Sequence, residues 1–403
     1  MTGNISRRSV LSTTIAASAA AAIPLRYGRA ADAIQIAMPC ALTGALGPIG
    51  QQMKRGVEYF TKVQNAKGGL LGRPIEYIIE DTAGDPATCV RKAGEMVERY
   101  HARLLMGMTL SSEALAVVPK LADWNAIFVS SDNGDGRLTA SAFVPNFFRA
   151  NTSGPMDTRT VALWLRHASY KSFYAIGMDY AWGHDTVNSF QNLVKQANRN
   201  FVGAVFSPIG TKDFSSYILK IRQSGADAVF LVLAGDDNNA FLQQAHEYRL
   251  GEKMQILTST VDLASVRTLG DATLGLAGAA RYCCTIDNPA NKQFVADWQK
   301  AHDGALPDIY EGEQWQACQV MAAGIEAAGS IEPEKLRPAL EKVAIDSIKG
   351  HVAMRACDHQ GVQQGFMVKV AKVAESNQLL PQVIEVFPAD QVTPGCRKET
   401  YDD

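Results

Sequence analysis

Beyond residue 30, no stretch of the 403-residue chain is apolar enough to span a bilayer. Neither charge sign dominates: 39 Lys and Arg stand against 41 Asp and Glu. No polyanion partner is implied, so nucleic acid is excluded as the expected ligand. Catalytic signatures are missing as well. There is no G-x-S-x-G elbow, no H-E-x-x-H pair and no G-x-x-x-x-G-K-[ST] phosphate loop. The seven histidines (His101, His167, His184, His246, His302, His351 and His359) are scattered and form no cluster. No enzyme, cofactor or metal is therefore expected.

Acids are also missing from the first 31 residues, whereas Arg7, Arg8, Arg26 and Arg29 all lie there. Without those four cations the balance becomes 35 against 41. The apolar run Val10–Ile23, mostly Ala, Ser and Thr, is short of a spanning helix. Small residues at Gly28 and Ala30 offer a cleavage site after Ala30. Arg7-Arg8 followed by Val10-Leu11 is similar to a twin-arginine export signal. Residues 1–30 are accordingly set apart as a removed signal, and the remainder is expected in the periplasm.

All seven cysteines lie in that remainder: Cys40, Cys89, Cys283, Cys284, Cys318, Cys357 and Cys396. An oxidising compartment permits disulfides, and the odd count leaves at least one cysteine without an intramolecular partner. Cys357 with Cys396 is the preferred pair, because the two flank the C-terminal segment. Neither "YCCT" nor "CDH" has zinc-site spacing.

Apolar runs alternate with helix-length amphipathic stretches. "IQIAMP", "RPIEYIIEDT", "RLLMGM" and "AIFVSS" read as strands, separated by helices that start at Pro48, Asp85-Pro86 and Ser111. The pattern starts again with "SFYAIGMD", "FVGAVFSP", "ADAVFLVLAG" and "QILTST". Two α/β sets in series, near residues 33–148 and 172–280, predict parallel sheets with crossover helices. Two further helices and a β-hairpin, "GFMVKVAKV" with "PQVIEVFPA", follow.

Open parallel sheets bind ligands beyond the C-terminal ends of their strands. The turns there contain Thr43; Ser111 and Ser112; Ser131, Asp132 and Asn133; Tyr180 and Trp182 beside Asp179; Asp236 and Asp237; and Thr260. Ser111 and Ser112 open a helix, where backbone N–H groups and the helix dipole favour an anion such as a ligand carboxylate. An N-cap role for Ser111, a turn cap at Thr43 and packing roles for the aromatics are the plainer alternatives. Asp236 and Asp237 either bind a cation or cap a helix that starts at Asn238, the cap being the preferred reading for Asp237.

In order along the chain, "LTGALGPIG", "NAKGGLLGRPIE", "EDTAGDP", the serine turn, "DYAWG", "GTKDFSSYILKIRQSGADAVFL" and "HDGALPDIY" resemble type I periplasmic solute-binding proteins. These are the leucine/isoleucine/valine-binding family of ABC importers. The resemblance covers nearly all of residues 33–370. It implies two Rossmann-like lobes joined by three crossings, near Arg149–Ser153, Arg281–Thr285 and Cys357–Gly361. Lobe 1 would hold 31–150 and 286–356, and lobe 2 would hold 151–285 and 357–403. It also implies a small carboxylate-bearing ligand in the cleft, an inner-membrane permease as partner, and a monomer. Ser111, Ser112 and Asn133 would hold the carboxylate, with Ser131 and Asp132 beside them. Tyr180 and Tyr310 would touch the ligand body, with Asp236 and Thr260 as further contacts. Thr260 stands where amino-acid binders of the family place a glutamate for the ammonium group, which argues against a branched-chain amino acid. The segment "MRACDHQGVQQGFMVKV" is similar to a subgroup associated with aromatic and other organic acids. A sensor on the same fold, feeding a regulator or chemoreceptor, is the second reading.

Overall fold

The computed structural model describes residues 33–374 and 377–399. The segment 1–30, read from the sequence as an export signal, lies outside the described residues. Fifteen strands run in chain order: β1 (Ile34–Cys40), β2 (Ile75–Asp81), β3 (Leu104–Leu105), β4 (Ile127–Ser130), β5 (Phe147–Arg149), β6 (Ser172–Met178), β7 (Asn200–Ser207), β8 (Ala228–Val232), β9 (Gln255–Thr258), β10 (Ala277–Ala280), β11 (Ala344–Ser347), β12 (Gly350–Arg355), β13 (Gln360–Val362), β14 (Gly365–Lys372) and β15 (Leu379–Phe387). They form an eight-stranded sheet of order β11-β12-β13-β5-β4-β3-β1-β2 and a seven-stranded sheet of order β15-β14-β10-β9-β8-β6-β7. Pairing is parallel through β1–β5 and β6–β10; at one edge of the first sheet β13 joins β5 in parallel and carries antiparallel β12 and β11, and at one edge of the second β14 and β15 are antiparallel.

Successive side chains of a strand face opposite sides of its sheet, so a parallel sheet needs cover on both. In lobe 1 the division is residue by residue. Ile36, Met38, Leu104, Ile127, Val129 and Phe148 pack into one apolar cluster; Ala37, Leu105, Phe128 and Phe147 pack into the other. Helices Gly47–Ala66 and Ile309–Ala328 cover the first face, and Pro86–Tyr100 and Ser111–Val117 the second. Local chemistry starts these helices. Asp85 accepts from the Thr88 N–H at 2.7 Å with Pro86 at the first turn, and Asp308 caps Ile309–Ala328.

The chain passes between sheets after Arg149, after Ala280 and at Gln363–Gln364. The third passage lies later than the Cys357–Gly361 read from the sequence, because β13 extends the first sheet, pairing with β12 and meeting β5 at Arg149. Side-chain amides knit the passages together. Gln316 and Gln363 each donate to the Ala150 carbonyl at 2.9 Å, and Gln360 donates to the Asn151 carbonyl at 2.9 Å.

The C-terminal tail does not stay with lobe 2. A Cys357–Cys396 disulfide ties it to the turn between β12 and β13. Arg397 lies 3.4 Å from the centre of the Phe143 ring, and Ser141 hydrogen-bonds Glu399. Among the described residues, one group of His, Cys and acidic side chains is close enough for a metal: Cys357, Asp358 and Cys396, whose two sulfurs are bonded to each other. No helix among the described residues is long and apolar enough to cross a membrane.

Candidate functional site

The C-terminal ends of both parallel sheets face each other. The turns there line a cavity of about 20 Å³, the room a single water needs. Lobe 1 contributes Leu46, Ile49, Thr109, Ser111, Asp132, Gly134 and Tyr310; lobe 2 contributes Tyr180, Trp182, Ala234 and Thr260, with Arg281 at the second passage. The lobes are closed on each other. The Asp236 N–H donates to the Ala45 carbonyl at 3.2 Å and the Gly136 N–H to Asp185 Oδ2 at 2.8 Å. Asp308 accepts from the Leu263 and Ala264 N–H groups at 2.8 and 2.7 Å.

Arg281 is the centre of this arrangement. It is buried, and Nη1 meets the Asp132 carbonyl and, at 3.0 Å, Asp132 Oδ1; Nε meets Asp157 Oδ2 at 2.9 Å. Asp132 sits after β4 in lobe 1, and Asp157 in the first helix of lobe 2, Gly154–Leu165. Burial pushes the Asp132 carboxyl up to about 7 despite the opposing pull of Arg281. It raises the Asp157 carboxyl as well, while the two acids drive the Arg281 guanidinium further up. Burial also raises the phenols of Tyr180 and Tyr310, which stay neutral donors. The Trp182 indole Nε1–H is buried without a hydrogen-bond partner and belongs to a cavity-lining ring.

Five sequence candidates thus meet at the cavity: Ser111, Asp132, Tyr180, Thr260 and Tyr310. Five lie apart from its lining. Thr43 donates to Asp81 Oδ2 at 2.6 Å in an exposed turn. Ser131 donates to Gln314 Oε1 at 2.6 Å, and Asn133 Nδ2 donates to the Met108 carbonyl at 2.6 Å, so both are spent on holding loops. Ser112 is half-buried beside the cavity lining, and Asp236 is half-buried 3.7 Å from Lys212 Nζ. Asp237 does not cap a helix from Asn238; the helix already starts at Gly235, and the Asp237 carboxylate accepts from the Gly210 N–H.

The serine turn is also built differently from an open anion site. Glu113 Oε2 accepts from the Leu110 N–H at 2.9 Å, so a carboxyl group of the chain already occupies this helix start. Ser111 Oγ accepts from the Gly134 and Asp135 N–H groups at 3.1 and 3.2 Å, locking the β4 turn against the β3 turn.

Sequence reasoning passed over Arg281 because "AGAA" does not read as a strand. Gly278 is required there: a Cβ on it would lie 2.2 Å from the Thr258 carbonyl oxygen of the neighbouring strand. With β10 recognised, the strand-end rule points to Arg281 at once.

A family model described as "Periplasmic binding protein" matches residues 33–376. The chain belongs to this family. As such it is a binding protein, not an enzyme. "Leu/Ile/Val-binding protein homolog 6" of Brucella suis is 27% identical over 381 residues, covering 92% of this chain and 95% of that protein. The structure of an ABC transporter substrate-binding protein from Sphaerobacter thermophilus is similar with a TM-score of 0.80 and 28% identity, over 88% of this chain and 98% of that one. The solute-binding protein of an ABC transporter from Rhodopseudomonas palustris BisB5, solved in complex with 3,4-dihydroxybenzoic acid, shares the fold with a TM-score of 0.82 at 20% identity, over 89% and 98% of the chains.

Proposed function

We propose that this ABC-transporter solute-binding protein captures a small aromatic carboxylate between its lobes and delivers it to an inner-membrane permease. The observation that carries the reading is Arg281. Among the residues lining the cavity it alone is cationic, and Trp182, Tyr180 and Tyr310 surround it. A guanidinium presents five donors in a planar fork, and Asp132 and Asp157 take up three hydrogen bonds from it here. Ring faces suit an apolar ligand body, while the phenols and the indole N–H can donate to ligand oxygens.

An α-ammonium group fits this cavity poorly. Thr260 is neutral, and the one acid, Asp132, is committed to Arg281 and pushed up to about 7 by burial. A buried ammonium without a full counter-charge is strongly unfavourable. That separates the proposed ligand from those named for the Brucella relative. The ring of the Rhodopseudomonas ligand supports it only through the shared fold.

At about 20 Å³ the cleft is too tight to admit a ring without the lobes parting. Ligand entry therefore uses an opened form, and closure over a ligand that touches both lobes is favoured by its extra affinity for the closed state. A thermal-shift screen of benzoates, short diacids, amides and amino acids tests the reading. A ligand at 100 times its Kd adds about 2.7 kcal/mol of stability. Stabilisation by leucine, isoleucine or valine with none by benzoates would overturn it. The twin arginines imply export of the folded chain, so replacing Arg7 and Arg8 with lysine is expected to leave the protein in the cytoplasm.

A further inference from the structure

The second passage between the lobes holds two adjacent thiols that the ligand cleft does not use. Cys283 is buried, Cys284 is half-buried, and neither lines the cavity. They are consecutive residues on one turn. The Ile286 N–H donates to the Cys283 carbonyl at 3.1 Å, closing a turn that carries the pair. Cys283 Sγ lies 3.0 Å from Thr285 Oγ1 and donates to the Pro381 carbonyl of β15 at 3.3 Å; Thr285 Oγ1 donates to the same carbonyl at 2.7 Å. Arg281 is two residues upstream. The pair therefore sits at the root of the side chain that bridges the lobes.

We propose that Cys283 and Cys284 form a redox modification site, a dithiol that closes to a disulfide between neighbouring residues by exchange with a glutathione-like or protein disulfide. The chemistry balances without any group from the cleft. Cys284, the less buried of the two, loses its proton and attacks one sulfur of the incoming disulfide. The first thiol departs with that proton, leaving a mixed disulfide on Cys284. The Cys283 sulfur then attacks Cys284 Sγ, and the second thiol departs with the Cys283 proton. Two protein thiols are oxidised and one external disulfide is reduced to two thiols.

Two features suit Cys283 to the resolving step. It is the residue next to Cys284 with its sulfur 3.0 Å from Thr285 Oγ1, and its neighbours Cys284 and Thr285 pull its thiol below the ordinary range. Its own proximity, together with burial, pushes the Cys284 thiol up. Cys40, Cys89 and Cys318 are buried in lobe 1, away from this turn, and burial raises all three thiols, to about 12 for Cys40 and about 11 for Cys318.

The product differs in kind from the Cys357–Cys396 bond, whose Cα atoms lie 6.3 Å apart, inside the usual span. Neighbouring Cα atoms are about 3.8 Å apart, short of that span, so a disulfide between adjacent residues is strained and reducible. Strained disulfides are the labile, regulatory ones. Closure stiffens the passage next to Arg281 and removes the Cys283 S–H donor to Pro381.

Trypsin releases residues 282–292 with these two cysteines and no other. The protein purified from the periplasm is treated with oxidised glutathione, alkylated in denaturant and digested without reductant. The expected peptide is unalkylated and two hydrogens lighter than the dithiol, and it becomes doubly alkylated after dithiothreitol. Two alkyl groups, or a lasting glutathione adduct, in the oxidised wild type would overturn the proposal. In Cys283→Ser a glutathione adduct is expected to persist on Cys284; in Cys284→Ser none is expected. An adduct on Cys283 in the latter would contradict the assigned order of attack.

Discussion

Arg281 reaches Asp132 in lobe 1 at 3.0 Å and Asp157 in lobe 2 at 2.9 Å, so a single buried guanidinium is the electrostatic link across the cleft. Removing it strands two buried carboxylates. Breaking a buried pair by deleting one partner costs about 3–5 kcal/mol. Arg281→Ala is expected to lose stability in that range by urea denaturation at pH 8, where both acids are charged once unfolded. A loss below about 1 kcal/mol would show that the link is not structural.

Gly134 lies where the β4 turn meets lobe 2. A methyl group there would sit 2.5 Å from Arg281 Nη2 and 2.6 Å from Trp182 Cδ1. Overpacking costs about 1–3 kcal/mol, and the clashing groups belong to the second passage and to lobe 2, so parting of the lobes is the expected relief. Gly134→Ala is expected to keep its folded lobes, seen by circular dichroism, while small-angle scattering reports a larger radius of gyration. An unchanged radius would count against this.

Glu113 gives a pH signature. Burial pushes its carboxyl up to about 7, against the opposing hydrogen bonds from Thr82 and the Leu110 N–H. The folded state therefore keeps this proton between roughly pH 4.3 and 7, whereas the unfolded chain has released it. The stabilising contribution is present in full below that window and is lost as pH rises through it, at about 1.4 kcal/mol per pH unit. Glu113→Gln is expected to flatten the slope of unfolding free energy against pH by that amount, measured by chemical denaturation at pH 5, 6 and 7. A parallel slope in the variant would contradict the assignment.

The tail strap gives a fourth expectation. Cys357 and Cys396 close a loop with a sequence separation of 39, for which chain entropy corresponds to about 4 kcal/mol. Cys396→Ser is expected to lose about 2–4 kcal/mol and to be cut faster by trypsin at Arg397 and Lys398. Equal cleavage rates with the disulfide present and absent would mean that the Arg397–Phe143 contact alone holds the tail.

Much of the architecture was legible because long apolar strands announce themselves. "IQIAMP" and "ADAVFLVLAG" are buried on both faces and contain little else but apolar residues. The strands that escaped are mostly short or made of small residues: Phe147–Arg149, Ala277–Ala280, Ala344–Ser347 and Gln360–Val362, with the six-residue Gly350–Arg355 the longest. Three or four residues carry too little periodicity to stand out, and "AGAA" has no β-branched or aromatic residue.

At the cleft, the sequence by itself determined which turns carry polar and aromatic side chains, because position after a strand places a residue at the sheet edge. Ser111, Asp132, Tyr180 and Thr260 follow from that, whereas Tyr310, in the first turn of helix Ile309–Ala328, came only from the family resemblance. Only the tertiary structure decided which of them stay available. Ser131 and Asn133 have the same chemistry as Ser111, but Gln314 and the Met108 carbonyl claim them. Arg281 became the centre of the site because Asp132 and Asp157, 25 residues apart in sequence and in different lobes, converge on it. Such a pairing is set by how the two sheets are passed and closed, and buried charges are stable only where partners from distant segments meet them.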